Sequence, residues 1–279
     1  MKISVCRFAV SAMVSVIAAL GVANAQQCSS SITMCGCTIT SPGVYTVDAG
    51  LDALSGTTAR GDCIDVAAKK VRLLTNAFLI QGQGKGAGIR LLPSADDVFL
   101  EGLNANFGST ALIGWQYGLE SEASNVISDG FGYFGNTVGV LLKGATNNIL
   151  THSYANGNLV YGYWVKGGSR NQIDSGNQDN GTAGIYLGCS STGPMGEACE
   201  EDSSTTSGNF IYESFGNSEG LQNYGIAVER GSKRNTIVGN SFGTLGANTV
   251  YDIFDGNPNC DGNLWRVNQF VTANRSCIQ

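Results

Sequence analysis

Short alternating runs of apolar and polar residues recur along the chain, and several of them open at a glycine. A second phrase, an asparagine followed two positions later by an apolar residue, precedes most of these runs and returns at steps of 22 to 38 residues. The phrase begins at Asn125, Asn147, Asn171, Asn209, Asn235 and Asn263, and the glycines that open runs are Gly139, Gly162, Gly184 and Gly225. Period-two alternation marks strands, and glycine and asparagine mark corners. A repeat of this length predicts a β-solenoid.

The repeat divides the chain into segments. It is absent from residues 26–61, although residues 38–47 read as two strands about a Pro-Gly turn. A solenoid needs a cap over its open end, and we assign that role to residues 26–61. Residues 62–279 are then one repeat domain, and residues 189–207 are a polar insertion within its longest step.

Residues 1–25 have the pattern of a secretory signal peptide. Lys2 and Arg7 precede an apolar run over residues 8–22, and Ala23 and Ala25 form a small-x-small cleavage site. A membrane anchor is the alternative, but the run is short for a span of about 20 residues. We therefore expect a secreted protein, extracellular or periplasmic, without a membrane partner.

The cysteines agree with export. Eight remain after the leader: Cys28, Cys35, Cys37, Cys63, Cys189, Cys199, Cys260 and Cys277. An even number in an exported chain predicts disulfides, and their grouping favours bridges at the two ends and across the insertion. A structural metal site is disfavoured because the chain has one histidine and no matched pair of metal-ligand spacings.

The charge balance limits the partners. A net charge of -6 and a pI near 4.8 argue against nucleic acid, which requires a basic surface. An acidic polysaccharide would need a local basic strip or a bound cation such as Ca²⁺, and no motif requires another cofactor. We expect a monomer.

The Asn-x-Ile phrase followed by Gly-Ile-x-Leu resembles the repeats of secreted, pectate lyase-like carbohydrate-active proteins, which include pectate lyases, alginate lyases and C5-epimerases. The resemblance covers residues 60–270 and implies a single right-handed parallel β-helix, all-β, with a polysaccharide as its partner. It also implies an internal asparagine ladder formed by Asn125, Asn147, Asn171, Asn209 and Asn235. The Arg-x-Pro-x-x-Arg and Asp-Pro-His signatures of pectate lyases and alginate epimerases are absent.

The only histidine, His152, is the first candidate for chemistry. Stacking by repeat places it in a column with Gly130, Gly176, Ser214 and Asn240. Asp129, Asp174 and Glu213 should lie nearby, as should the tyrosines Tyr133, Tyr154, Tyr161 and Tyr163. Histidine, tyrosine and carboxylate groups can abstract a C5 proton and protonate a leaving oxygen. His152 could equally be an ordinary corner residue.

A basic strip is the second candidate. Lys143 and Lys166 occupy one column with Glu122, Gly188 and Glu229, and Arg170 precedes a ladder asparagine. These cations could hold a uronate carboxylate and stabilise an enolate. The alternative is ordinary corner charge, with Lys143 paired to Glu122.

Two functions follow. The first is a lyase or C5-epimerase acting on a uronic-acid polysaccharide. In it the catalytic groups are His152, Asp129, Tyr154 and Lys143, and the substrate-binding groups are Lys166, Arg170, Tyr161, Tyr163, Trp164 and Glu213. The second is a non-catalytic glycan-binding or surface-interaction module using exposed aromatic residues, for which we name Trp115, Trp164 and Tyr163. An enzyme requires histidine, tyrosine and a cation to converge on one groove, whereas a binder requires only an aromatic or polar face.

Overall fold

The computed structural model describes residues 26–104, 108–189, 206–218, 220–243 and 248–279, without the side chains of Asn104 and Asn217. This part of the chain is all-β and contains no α-helix. Its parallel sheets are consistent with a parallel β-helix. The signal peptide assigned to residues 1–25 lies outside the described residues.

The strands are short, and most are two to six residues long. They are β1 Gln26–Gln27, β2 Ser31–Ile32, β3 Cys37–Ile39, β4 Gly43–Val47, β5 Leu51–Asp52, β6 Ile64–Val66, β7 Val71–Leu74, β8 Leu79–Gln81, β9 Ala87–Leu91, β10 Asp96–Glu101, β11 Leu103–Asn104, β12 Gly108–Ile113, β13 Tyr117–Ser121, β14 Ser124–Asp129, β15 Phe131–Phe134, β16 Val138–Lys143, β17 Ile149–Asn156, β18 Tyr161–Lys166, β19 Gly168–Ser169, β20 Gln172–Gln178, β21 Ala183–Leu187, β22 Thr206–Ser207, β23 Phe210–Tyr212, β24 Phe215–Asn217, β25 Tyr224–Val228, β26 Thr236–Val238, β27 Ser241–Phe242, β28 Tyr251–Asp255 and β29 Leu264–Arg266. Two 3₁₀ turns cover Ala53–Ser55 and Pro258–Gly262.

Most of the described strands form three parallel stacks; the exceptions are β11, which pairs antiparallel with β12, and β19 and β22, which form a separate two-stranded sheet. The first stack is a ten-stranded sheet in the order β1-β3-β6-β9-β13-β16-β18-β21-β25-β28. The second runs from β2 and β4 through β7, β10, β14, β17, β20 and β23 to β26 and β29. The third runs from β5 through β8, β12, β15, β17, β20 and β24 to β27. Strands β17 and β20 belong to both the second and third stacks, so each bends midway.

The core lies between the stacks because alternate residues point inward. Cys37, Ile64, Ile89, Leu119 and Val140 are buried at corresponding positions of successive strands in the first stack. The segment assigned as a cap takes part in this register, since β3, β4 and β5 each pair in parallel with the following repeat.

An asparagine ladder runs along the inside of one corner, but its register differs from the expectation. Asn171, Asn209 and Asn235 are buried, and each accepts a hydrogen bond from the backbone N–H one repeat earlier. Asn125 and Asn147 are exposed and adopt φ of 57° and 60°, so their predicted place in the ladder is wrong. They fill the left-handed corner position, which asparagine tolerates.

The ladder position of that repeat is taken by Asn148. Its side-chain oxygen accepts the N–H of Val126, while its own N–H donates to Asn171. A second buried ladder, absent from the sequence prediction, lies between the third and first stacks. Its members are Asn136, Asn158, Asn180, Gln222 and Asn248. Both ladders satisfy backbone donors that the corners leave unpaired.

Disulfides close both ends within the predicted groups. Cys28 bonds to Cys37 and Cys35 to Cys63, and Cys260 bonds to Cys277. The predicted bridge of Cys189 involves Cys199, which lies outside the described residues. Three disulfides are compatible with an extracellular or other oxidising compartment.

Candidate functional site

The predicted catalytic histidine lies where β17 bends from the second stack into the third. Thr151 and His152 together stand opposite the single residue Asp174, so β17 carries a bulge at this point. His152 adopts φ of 48°, and 68% of its side chain is exposed. The bulge turns the imidazole outward.

Polar groups from four successive repeats meet at this bend, and we call Asp129, His152, Asp174 and Glu213 the His152 ridge. The Nδ1 atom of His152 lies 2.8 Å from Oδ1 of Asp129. Asp174 accepts a 3.4 Å hydrogen bond from Thr151, and Glu213 is exposed on the next repeat. The sequence expectation that these three carboxylates lie near His152 is confirmed for Asp129 and Asp174.

The pKa shifts describe an acidic surface. The hydrogen bond and charge of Asp129 raise the pKa of His152. Burial raises the pKa of Asp174, and the charge of Glu213 raises it further while His152 opposes the shift. Among the described ion pairs, none joins Asp129, Asp174 or Glu213 to a lysine or arginine. The ridge therefore presents carboxylates without a neutralising side chain other than His152.

The predicted column through His152 is partly wrong. Ser153, not His152, pairs with Ser175, whose N–H donates to Ser214. Ser214 in turn donates its N–H to Asn240, so these residues form their own inward column. The bulge shifts His152 out of that column, because it inserts a residue that the next repeat lacks.

An aromatic strip lies on the third stack beside the ridge and consists of Phe134, Tyr154 and Phe215. The rings of Phe134 and Tyr154 have centroids 6.2 Å apart. Tyr154 and Phe215 both extend over Gly176, where any Cβ would overlap the Tyr154 ring. Phe215 is 53% exposed, and the other two rings are partly exposed. Gly176 thus lets two aromatic rings approach the sheet from neighbouring repeats.

Tyr154 connects the strip to polar groups. Its hydroxyl donates to Oε1 of Gln178 at 2.5 Å. Burial raises its pKa, and the charge of Asp179 raises it further. The raised pKa keeps Tyr154 a neutral hydroxyl at neutral pH, bound to the side-chain oxygen of Gln178.

The basic strip lies at a different corner. Lys143 pairs in register with Lys166 at the end of the first stack, as predicted. Lys143 also forms the predicted alternative contact, an ion pair of 3.6 Å with Glu122. Lys166 lies 4.9 Å from the centroid of the Trp164 ring, and Arg170 is exposed at the following corner. The strand from Ile149 to Thr151 separates this corner from His152, so the cations do not join the ridge.

The aromatic residues named for glycan binding are not surface groups. Trp115, Tyr163 and Trp164 are 1%, 0% and 6% exposed, so the expectation that they are exposed is wrong. Tyr163 points into the core because it stands in register with the buried Val140, on the side of the sheet that faces inward. Tyr161 and Trp164 lie on the outer side of the first stack, packed with Leu141, Tyr186 and other apolar residues. Tyr161 is also buried.

A cluster that the sequence analysis did not assign lies on the first stack. Asp65, Arg90 and Glu120 are stacked on three successive strands. Arg90 holds Asp62 through Nε at 2.6 Å and Glu120 through Nη1 at 2.5 Å. All three carboxylates are buried, and Oδ1 of Asp65 has no hydrogen-bond partner. The two nearby aspartates, Asp62 and Asp65, were visible in the sequence. Their position against Arg90 depends on the pairing register of β6 with β9, which the sequence does not give.

The charges in this cluster perturb one another. Burial raises the pKa of Asp65 to about 7, and the neighbouring Asp62 carboxylate adds to the shift. Burial raises the pKa of Glu120 as well, against the charge of Arg90. The cluster is closed to solvent, which favours a structural role over direct contact with a polymer.

Across the described ranges, no group of three or more His, Cys, Asp or Glu side chains is arranged to hold a metal ion. No helix in the same ranges is long and apolar enough to cross a membrane. No family model, curated protein or solved structure matches the chain. The functional assignment therefore depends on the geometry of the surface.

Proposed function

We propose that the chain is an exported right-handed parallel β-helix that binds glycans through the His152 ridge and the aromatic strip. The observation that supports this proposal is that the ridge and the strip lie side by side on the same repeats. Aromatic rings offer flat apolar surface with polar edges, and carboxylate and imidazole groups accept hydrogen bonds from hydroxyls. Sugars present both kinds of surface.

The distribution of charge favours binding over proton abstraction at this site. An enzyme that acts on a uronate needs a cation near the base to stabilise the enolate. The ridge instead places the carboxylates of Asp129 and Asp174 beside His152 and that of Glu213 on the next repeat, and Lys143, Lys166 and Arg170 lie at another corner. Binding needs no such cation.

Substitution of the strip tests this proposal. We expect Tyr154→Ala with Phe215→Ala to weaken binding at least tenfold, since stacking on an aromatic ring contributes about 1 kcal/mol or more per ring. Affinity electrophoresis in gels with neutral, anionic and cationic polysaccharides measures it. Val44→Ala removes another exposed apolar side chain, 57% exposed, from the first repeats of the second stack and serves as the control. Absence of retardation in every gel, or equal retardation of the double variant, would refute the proposal.

A lyase or C5-epimerase is the second candidate, and the His152–Asp129 contact of 2.8 Å favours it. A carboxylate bound to Nδ1 leaves Nε2 as the base, which is the arrangement of a general base with an orienting partner. In this version Tyr154 donates a proton and Lys166 and Arg170 bind substrate carboxylates.

Two assays separate this candidate from a binder. A lyase produces an unsaturated uronate that absorbs in the ultraviolet, and His152→Ala should abolish the signal. An epimerase incorporates solvent deuterium at C5 without that absorbance. If uronic-acid polysaccharides, with or without Ca²⁺, give neither signal, both enzymatic versions fail and binding remains.

A further inference from the structure

The charged row of the ridge has defined ends. On the preceding repeat Glu101 occupies the position equivalent to Asp129, but it is paired with Arg72 at 2.7 Å. On the repeat after Glu213 the equivalent positions are Val238 and Gly239. Along this row, carboxylates without a lysine or arginine partner among the described ion pairs are therefore confined to the repeats of Asp129, Asp174 and Glu213, and Asp129 is bonded to His152.

The aromatic strip covers the same four repeats. Gly132, Tyr154, Gly176 and Phe215 occupy one register column of the third stack, on the same repeats as the ridge residues, and the Phe134 ring folds back over Gly132. Neighbouring strands are about 4.8 Å apart, so each row is about 15 Å long. Two parallel rows of this length, one aromatic and one acidic, suit an extended chain that runs along the stacking direction.

The charge of the row selects the chemistry of that chain. Three carboxylates that have no lysine or arginine partner would repel a polyuronate and attract a row of cations. Protonated amines form charge-assisted hydrogen bonds with carboxylates. They also interact favourably with aromatic faces.

We propose that the ridge and strip bind a linear polysaccharide of amino sugars, with about one sugar per repeat over four repeats. This inference rests on the proposed glycan-binding function and names its ligand class. The sugar rings stack on Phe134, Tyr154 and Phe215, and the ammonium groups face Asp129, Asp174 and Glu213. His152 donates to or accepts from a hydroxyl between them.

Three matched series of β-1,4-linked oligosaccharides test it: glucosamine, N-acetylglucosamine and glucose, each from two to six residues. Calorimetric titration at pH 6 keeps the amines of the ligand protonated. We expect the glucosamine tetramer to bind at least tenfold more tightly than the glucose tetramer. Affinity should rise with length up to about four residues and then level off. Added salt should weaken glucosamine binding, because exposed charges are screened.

Variants at the two ends of the row test whether its carboxylates cause the preference for amino sugars. Asp129→Asn with Glu213→Gln should reduce the preference for glucosamine over glucose at least tenfold. Asp97→Asn is the control, since this exposed carboxylate at another corner has φ of 55°, which asparagine tolerates. Because the whole protein is acidic, an equal loss in the control would indicate general charge attraction and overturn the inference.

The remaining outcomes separate the two proposals. Binding of glucose or N-acetylglucosamine oligomers without a preference for glucosamine would overturn the amino-sugar inference and leave glycan binding intact. Affinity that stops rising at two residues would overturn the arrangement along four repeats. Failure of all three series, together with all polysaccharide gels, would refute both.

Discussion

Among single residues, Asp65 has the clearest consequence for pH. Its pKa is raised to about 7 by burial and by Asp62, whereas an unfolded aspartate titrates near 4. A raised pKa means that the folded state binds the proton more tightly than the unfolded chain does. The resulting stabilisation is present at low pH and is lost as the pH rises from about 4 through about 7.

We therefore predict that Asp65→Asn, which resembles the protonated acid, stabilises the protein at pH 8. The gain should exceed about 1 kcal/mol, since each pKa unit corresponds to about 1.4 kcal/mol. Urea unfolding at pH 5 and pH 8 measures it, and the gain should be smaller at pH 5. Glu213→Gln, at an exposed carboxylate, should change neither value appreciably. A variant that loses stability at pH 8 would show that the charged carboxylate of Asp65 is required.

The residues also show how far the sequence predicts the structure. The spacing of the asparagines identified the repeat and three ladder positions, because the asparagine phrase recurs once in each repeat. It could not choose between Asn147 and Asn148, since one residue of register separates a corner from the core. The second ladder, which begins at Asn136, was missed, because one of its members is a glutamine, Gln222, and Asn180 is followed two positions later by Thr182 rather than by an apolar residue. Trp115 lies in the corner between β12 and β13, where its indole N–H donates to the carbonyl of Ile80, and this inward orientation could not be predicted from composition.

At the scale of elements, the backbone conformation at the bend of β17 indicates whether folding requires a histidine at position 152. The left-handed position that it occupies belongs to Gly130 on the preceding repeat and Gly239 further on, with φ of 76° and 68°. A histidine there has no advantage for folding, because glycine adopts this conformation without strain. The sequence placed His152 near Asp129, but it could not reveal the bulge that moves it away from Ser214.

We predict that His152→Gly leaves stability unchanged or raises it by up to about 1 kcal/mol, since φ is then unstrained. His152→Val should lose more than about 1 kcal/mol, because a β-branched residue is an outlier at positive φ. Thermal unfolding of both variants beside wild type measures this. If His152→Gly is strongly destabilised, the contact with Asp129 holds the bend together and the histidine is structural.

At the scale of the whole molecule, the repeats contact mainly their neighbours, so stability should be lost from the ends. The three disulfides whose two cysteines both belong to the described residues lie at those ends. Cys260–Cys277 spans 17 residues and lies beside β28 and β29, whereas Cys28–Cys37 joins β3 to the segment before it. Each of these bridges limits the freedom of one terminal segment in the unfolded chain, and the ladders and the core stabilise the repeats between them.

We predict that Cys260→Ser with Cys277→Ser loosens the last repeats while the middle of the molecule stays protected. Closure of a loop of this size contributes about 3 kcal/mol, so amide exchange in β28 and β29 should accelerate at least tenfold. Exchange in β13 and β16 should not change. The matched variant, Cys28→Ser with Cys37→Ser, should loosen β1 and β3 and spare β28. Hydrogen exchange resolved by peptide mass measures both ends in one experiment. Equal acceleration in all strands would show that the repeats unfold as a single unit, and the ridge at the centre would then depend on both disulfide-closed ends.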